Sequence, residues 1–134
     1  MKILFTADIH THPSLLEQLR RQVWRHEAEA LIIGGDIVPH TLPQAHDLGL
    51  LGAQAAYMEN TLIPALKQIK AQRHIRIYLD LSNDDLAASR HILEHYQKKL
   101  LHLLHMRKHP LNDHIDVIGY MNVPPTPFRY RANY

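Results

Sequence analysis

The sequence predicts an α/β fold, a parallel sheet flanked by helices. Short apolar runs alternate with segments of helical periodicity, the pattern of strands joined by crossover helices. The runs at residues 2–7, 30–33 and 74–81 are each four to eight residues long, the length of a strand. Each run also leads into a short polar or glycine cluster: Asp8-Ile9-His10, Gly34-Gly35-Asp36, and Ser82-Asn83-Asp84-Asp85. In parallel strands such exits share one sheet edge, where open α/β sheets place ligands.

Residues 2–7 are the first expected strand. A helix follows from Pro13 or Ser14. Pro13 suits a first helical turn, and Ser14 with Glu17 has capping-box spacing. Leu15, Leu16, Leu19, Val23 and Trp24 mark its apolar face. Residues 30–33 form a continuous apolar run, as in a strand covered on both faces. Gly34, Gly35 and Pro39 break the pattern, and a loop carries the chain to Pro43. A long helical region then runs to about Gln72. Pro64 cannot donate a backbone hydrogen bond, so a kink or break is expected at residues 61–63.

Residues 74–81 are the third expected strand, and residues 85–108 the third helix. Pro110, Asn112 and Asp113 form a stop-and-turn cluster. Residues 114–120 read as the fourth strand. Residues 122–128 hold three prolines, too many for a central strand. The last residues read as an exposed tail.

A chain of 134 residues supports one domain with a real core. Its 46% hydrophobic and 21% charged residues are those of a soluble globular protein. The absence of cysteine excludes disulfides, thiolate chemistry, cysteine-ligated zinc and iron–sulfur clusters. It fits a cytoplasmic protein. Asp8 interrupts the N-terminal apolar run, against a signal peptide. Residues 48–58 are apolar but fall short of the roughly 20 residues of a membrane span, so no membrane partner is expected.

The net charge is +2, with twelve histidines that make it sensitive to pH near ~6.5. Residues 97–109 are basic, with leucines at helical spacing, and read as a helix with a solvated basic face. His102 and His105 would share one face of it. Nucleic-acid contact is the weaker alternative there, because the aromatic interleaving of a stacking platform is missing.

The clusters at the strand exits carry the chemistry. Positions i and i+2 of extended backbone point the same way, so Asp8 and His10 can reach one ion. A helix-capping Asp8 beside a surface His10 is the plainer alternative. Asp36 follows two glycines that allow a tight turn and close approach; a carboxylate there can bridge two ions, or simply serve as a helix N-cap or turn residue. Asn83 offers a neutral carbonyl oxygen, a ligand for a hard cation, and is also a common turn former. Asp84 and Asp85 suit the N-terminus of the next helix.

Taken together, Asp8-x-His10, Gly35-Asp36 and Asn83 with Asp85 resemble the calcineurin-like metallophosphoesterase superfamily. Its N-terminal motifs read D-x-H, G-D and G-N-H-[DE]. Residues 116–120 with 123–128 also look like a segment of bacterial and archaeal members. The resemblance covers most of the chain but only the N-terminal half of the usual four-layer αββα sandwich, so residues 1–134 are expected to form one partial domain.

The resemblance implies that Asp8 and His10 hold a first metal, Asp36 bridges two metals, and Asn83 binds the second. The ions would be manganese, iron, zinc or similar. The implied activity is hydrolysis of a phosphomonoester or phosphodiester through a dinuclear centre. Ser82 and Asp84 stand where the motif has glycine and histidine, and the later G-H-x-H motif is missing. The missing half would also leave an apolar sheet face open, which implies self-association or a partner chain. The alternative function is therefore a non-catalytic fragment or interaction module of the same fold.

Overall fold

The computed structural model describes residues 1–39, 47–82 and 84–120. Its elements are β1 (Ile3–Thr6), α1 (Pro13–Arg25), β2 (Ala30–Ile33), α2 (Asp47–Tyr57), a π-helical turn (Met58–Leu62) and α3 (Ile63–Gln72). Then come β3 (Arg76–Leu79), a 3-10 turn (Ala87–Ser89), α4 (Arg90–His95), β4 (His102–Leu103), β5 (Lys108–Pro110) and β6 (Asp116–Ile118). Strands β1 to β4 form one parallel sheet in sequence order. The predicted α/β class, a parallel sheet flanked by helices, is the observed one.

Strand alternation divides the sheet into two faces. Leu31, Ile33, Ile77 and Leu79 join the main core with Leu16, Leu19 and Val23 of α1 and Leu66 and Ile69 of α3. Ala30 and Tyr78 look the other way. They form a second, smaller core with Leu104 and Leu111, packed by Ile32 and Val117. The antiparallel β5–β6 hairpin covers that side of the sheet in part. Thus β2 is covered on both faces, by helices above and by the hairpin below.

The break expected near residues 61–63 is real. The helical path widens into a π turn over Met58–Leu62, and Pro64 sits in the first turn of α3. Widening moves the proline ring away from the preceding carbonyls. Pro13 likewise opens α1, as expected. The capping box, however, does not form. The N-cap is His12, and Ser14 Oγ hydrogen-bonds to His12 Nδ1 at 2.9 Å. Glu17 instead accepts two bonds from Arg20 and one from Arg21. These guanidinium bonds hold the Glu17 carboxyl down at about 2. Charge-assisted bonds outcompete a reach back to a neutral backbone N–H. The apolar stripe of α1 is also narrower than expected: Leu15 lies at its margin, and Trp24 is 68% exposed.

The larger correction concerns residues 85–108. They do not form one helix. Helix α4 ends at His95, and a turn with Lys98 at φ 69° leads into β4, which pairs in parallel with β3. Leu101 and Leu103 point into the main core, while Leu104 joins the other face. The leucines at 100, 101, 103 and 104 fit helical spacing and equally a strand that is apolar on both faces. Pairing with β3, with Leu101 and Leu103 in the main core and Leu104 in the second one, selected the strand. His102 and His105 therefore share no helix face, and the expected basic helix is absent. Residues 114–120 are not the fourth strand of the sheet either; β6 pairs with β5 across the turn containing Asn112 and Asp113. The loop at 40–46, Asn83, and the proline-rich end from 121 lie outside the described residues.

The hairpin side is incompletely covered. Phe5 on edge strand β1 is 65% exposed, and Ile118 and Tyr120 are similarly open. They border a groove of about 400 Å³ whose floor includes Ile32 and Asp80. Among the described residues, no helix is long and apolar enough to cross a membrane.

Leu31 of β2 is fully buried in the main core. Leu31→Ala is expected to lower the unfolding free energy by about 2–5 kcal/mol, measured by urea denaturation followed by circular dichroism.

Candidate metal centre

The exits of β1 and β2 travel together beyond the regular strands. Gly34 N–H donates to Thr6 O at 2.8 Å, Asp8 N–H to Gly35 O at 3.3 Å, and His10 N–H to Asp36 O at 3.0 Å. Both exits then turn sharply. Asp8, His10, Thr11 and Asp36 have φ of 56°, 40°, 61° and 52°. Left-handed backbone at non-glycine residues costs of order 1–3 kcal/mol each and gathers at functional sites; aspartate tolerates it better than most. The expected extended geometry of Asp8 and His10 is therefore corrected. Their side chains meet because the turn curls them together, with His10 Nε2 3.7 Å from Asp8 Oδ1.

Asp8, His10 and Asp36 each offer a ligand atom, and these atoms all lie within 4.8 Å of one another. The Asp8 side chain is 74% exposed and that of His10 is 27% exposed. Asp36 is partly buried, and burial raises its carboxyl above the usual range. The N–H of Asp84 opposes that rise, donating to Asp36 Oδ1 at 3.2 Å. The charges of Asp84 and Asp8 add to it, and that of His10 counters it. Two carboxylates and an imidazole this close are a suitable donor set for a divalent cation. Among the described residues no other group of three or more His, Asp or Glu side chains has this spacing.

Gly35 is what lets the third loop approach. Its φ is 100°, and a Cβ there would lie 2.2 Å from Ser82 Cβ. Every larger residue would force the β2 and β3 exits apart. Across that contact sits Asp85, fully buried. Its Oδ2 accepts from Asp36 N at 2.8 Å and Ser82 N at 2.9 Å. Its Oδ1 accepts from Ile37 N at 3.0 Å and Val38 N at 3.1 Å. Burial pushes its carboxyl up to about 6 against the pull of these N–H groups. Asp85 thus organises the Asp36 turn rather than serving a helix N-terminus.

A second organising residue was missed. Gln54 of α2, a polar residue in the otherwise apolar stretch 48–58, is completely buried. Its Nε2 donates to Pro39 O and Asp84 O, both at 2.8 Å, and its Oε1 accepts from Leu86 N at 2.8 Å. The signal was available: a lone amide in an apolar helical stretch must find partners when buried. Of the four predicted ligands, Asp8, His10 and Asp36 come together. Asn83 is outside the described residues, though its neighbours Ser82 and Asp84 both border the Asp36 turn.

No family model and no curated protein sequence matches this chain. Solved structures do. One crystal structure aligns with a TM-score of 0.63 over 88% of this chain and 51% of its own, at 15% sequence identity. The chain thus spans about half the length of that solved chain. At this identity the likeness is one of fold, and it agrees with the parallel sheet described above.

Asp85→Ala would leave the N–H groups of Asp36, Ile37, Val38 and Ser82 without their acceptor. The expected loss is about 3–5 kcal/mol of stability, read from urea unfolding. Amide exchange should accelerate first in residues 36–38.

Proposed function

We propose that this chain is a metal-dependent phosphoesterase acting on a phosphomonoester or phosphodiester, with divalent ions held by Asp8, His10 and Asp36 and with Asn83 as a further ligand. One observation carries the reading: three donors of the right chemistry lie within 4.8 Å of one another at the exits of β1 and β2. They also stand in the order of the D-x-H and G-D motifs. The donor set fits manganese, iron or zinc, because carboxylate oxygen and imidazole nitrogen suit all three.

Asp8, His10 and Asp36 would hold a divalent ion, which would supply Lewis acidity, lower the pKa of water to ~7 and offset charge on phosphoryl oxygens. The protein supplies positioning. The left-handed turns present Asp8 and His10 from one side and Asp36 from the other. Asp84 N–H on Asp36 Oδ1 limits rotation of that carboxylate. The acidic side chains of Asp8, Asp36 and Asp84 would repel a phosphate ester by themselves, so a cation is a requirement of this chemistry rather than an accessory. Asp84, where the motif has histidine, is part of that repulsion when ionised.

A second reading is an interaction module that keeps the fold and a weak metal site. The open groove bordered by Phe5, Ile118 and Tyr120 favours it. In this reading a second copy of the chain covers the groove.

The phosphoesterase reading predicts manganese-stimulated hydrolysis of p-nitrophenyl phosphate that Asp36→Asn abolishes. Equal turnover in wild type and variant would refute it. Titration calorimetry with manganese and sedimentation separate the two readings. Tight binding with turnover supports the enzyme. Weak or absent binding, in a dimer that Phe5→Asp converts to monomer, supports the module.

A further inference from the structure

The register of the sheet places Tyr78 of β3 directly opposite His102 of β4. Their rings stack with centroids 5.3 Å apart. His109 of β5 leans over both, 5.2 Å from His102 and 5.7 Å from Tyr78. Its Nε2 lies 3.0 Å from Leu103 O, and because a carbonyl can only accept, Nε2 carries the proton. The same patch ties down the end of β5: the Tyr78 hydroxyl donates to Pro110 O, and the Arg76 guanidinium donates to Pro110 O and Leu111 O. Beneath it lies the small second core of Ala30, Tyr78, Leu104 and Leu111.

We propose that Tyr78, His102 and His109 form a proton-operated latch, which holds the β5–β6 hairpin on the sheet at neutral pH and releases it on mild acidification. The latch stands independently of the phosphoesterase reading, since none of its residues belongs to the Asp8–His10–Asp36 group.

The charges around it explain the direction. The groups acting on His102 are all basic side chains: His109 of β5, Lys70 of α3 and Arg76 of β3. Lys108 and Asp116, the charged side chains of the two hairpin strands, pair with each other at 2.7 Å, and Asp113 and His114 lie in the turn between them. Burial first, and then these basic side chains, hold His102 below its ordinary value. One imidazolium is tolerable, because a cation over the Tyr78 ring is attracted to it. The His109 bond to Leu103 also survives protonation, since Nε2 still donates. Two imidazoliums 5.2 Å apart, with Arg76 and Lys70 beside them, repel.

The unfolded chain protonates these rings near ~6.5, whereas the docked hairpin resists the proton on His102. The docked state is therefore fully stabilised above that value and loses stability as pH falls below it. Release uncovers Ala30, Ile32 and Tyr78 and enlarges the apolar surface beside the groove.

Hydrogen exchange of the full chain at about pH 7.5 and about pH 5.5, corrected for the intrinsic pH dependence of exchange, tests the latch. Amides of β5 and β6 should lose protection, about tenfold for each pKa unit by which His102 is held down, while those of β1, β2 and β3 keep theirs. His102→Gln with His109→Gln should remove that pH response. Loss of protection in hairpin and sheet together would overturn the latch, as would the same response in the variant. If the variant fails to fold, ring-proton NMR titration of the wild type decides. A His102 midpoint that coincides with hairpin release supports it; ordinary, independent titration of both rings with an unmoved hairpin overturns it.

Discussion

One buried carboxylate joins two loops that would otherwise separate. Asp85 accepts the N–H groups of Asp36, Ile37 and Val38 from the β2 exit and of Ser82 from the β3 exit. Four donors converging on two oxygens offset much of the desolvation that burial of a charge entails. Gly35 permits the approach sterically, and Gln54 fastens the same two segments from the helix above. Without this knot, parallel strands alone would leave the Asp36 turn free to choose its direction.

The candidate metal centre is built against local preference. Asp8, His10 and Asp36 all adopt left-handed backbone, and two of the three are acids within reach of each other. Strain and like-charge repulsion are both present in the protein alone. A cation relieves the repulsion and leaves the strain to the loops' hydrogen bonds. That close set of two carboxylates and an imidazole is the ground on which the proposed phosphoesterase chemistry stands.

The two faces of the sheet differ in completeness. Helices α1 and α3 seal one with aliphatic packing. The other is covered by a three-residue-strand hairpin, held by a small apolar cluster and a histidine–tyrosine stack. The hairpin leaves Phe5, Ile118 and Tyr120 open. That imbalance accompanies a chain that matches about half of a larger solved fold. A face secured by few contacts and titratable rings responds to pH more readily than one secured by leucines.

The sequence by itself determined the parallel α/β class, the first three strands, the proline-marked break before α3, and the placement of Asp8, His10 and Asp36 at strand exits; the turns that bring their side chains together came from the fold. Those features are written locally, in apolar runs of strand length, in a residue that cannot donate, and in polar residues at strand exits. It did not determine β4, because the leucines at 100, 101, 103 and 104 suit a helix or a strand buried on both faces until pairing with β3 chooses between them. Nor did it assign Asp85 and Gln54, whose partners lie 30 to 49 residues away in the chain for every bond linking them to the β2 exit or from Gln54 to Asp84 and Leu86, except the shorter span to Pro39. Tertiary structure decided those, since an acceptor's role is set by which donors the fold brings to it.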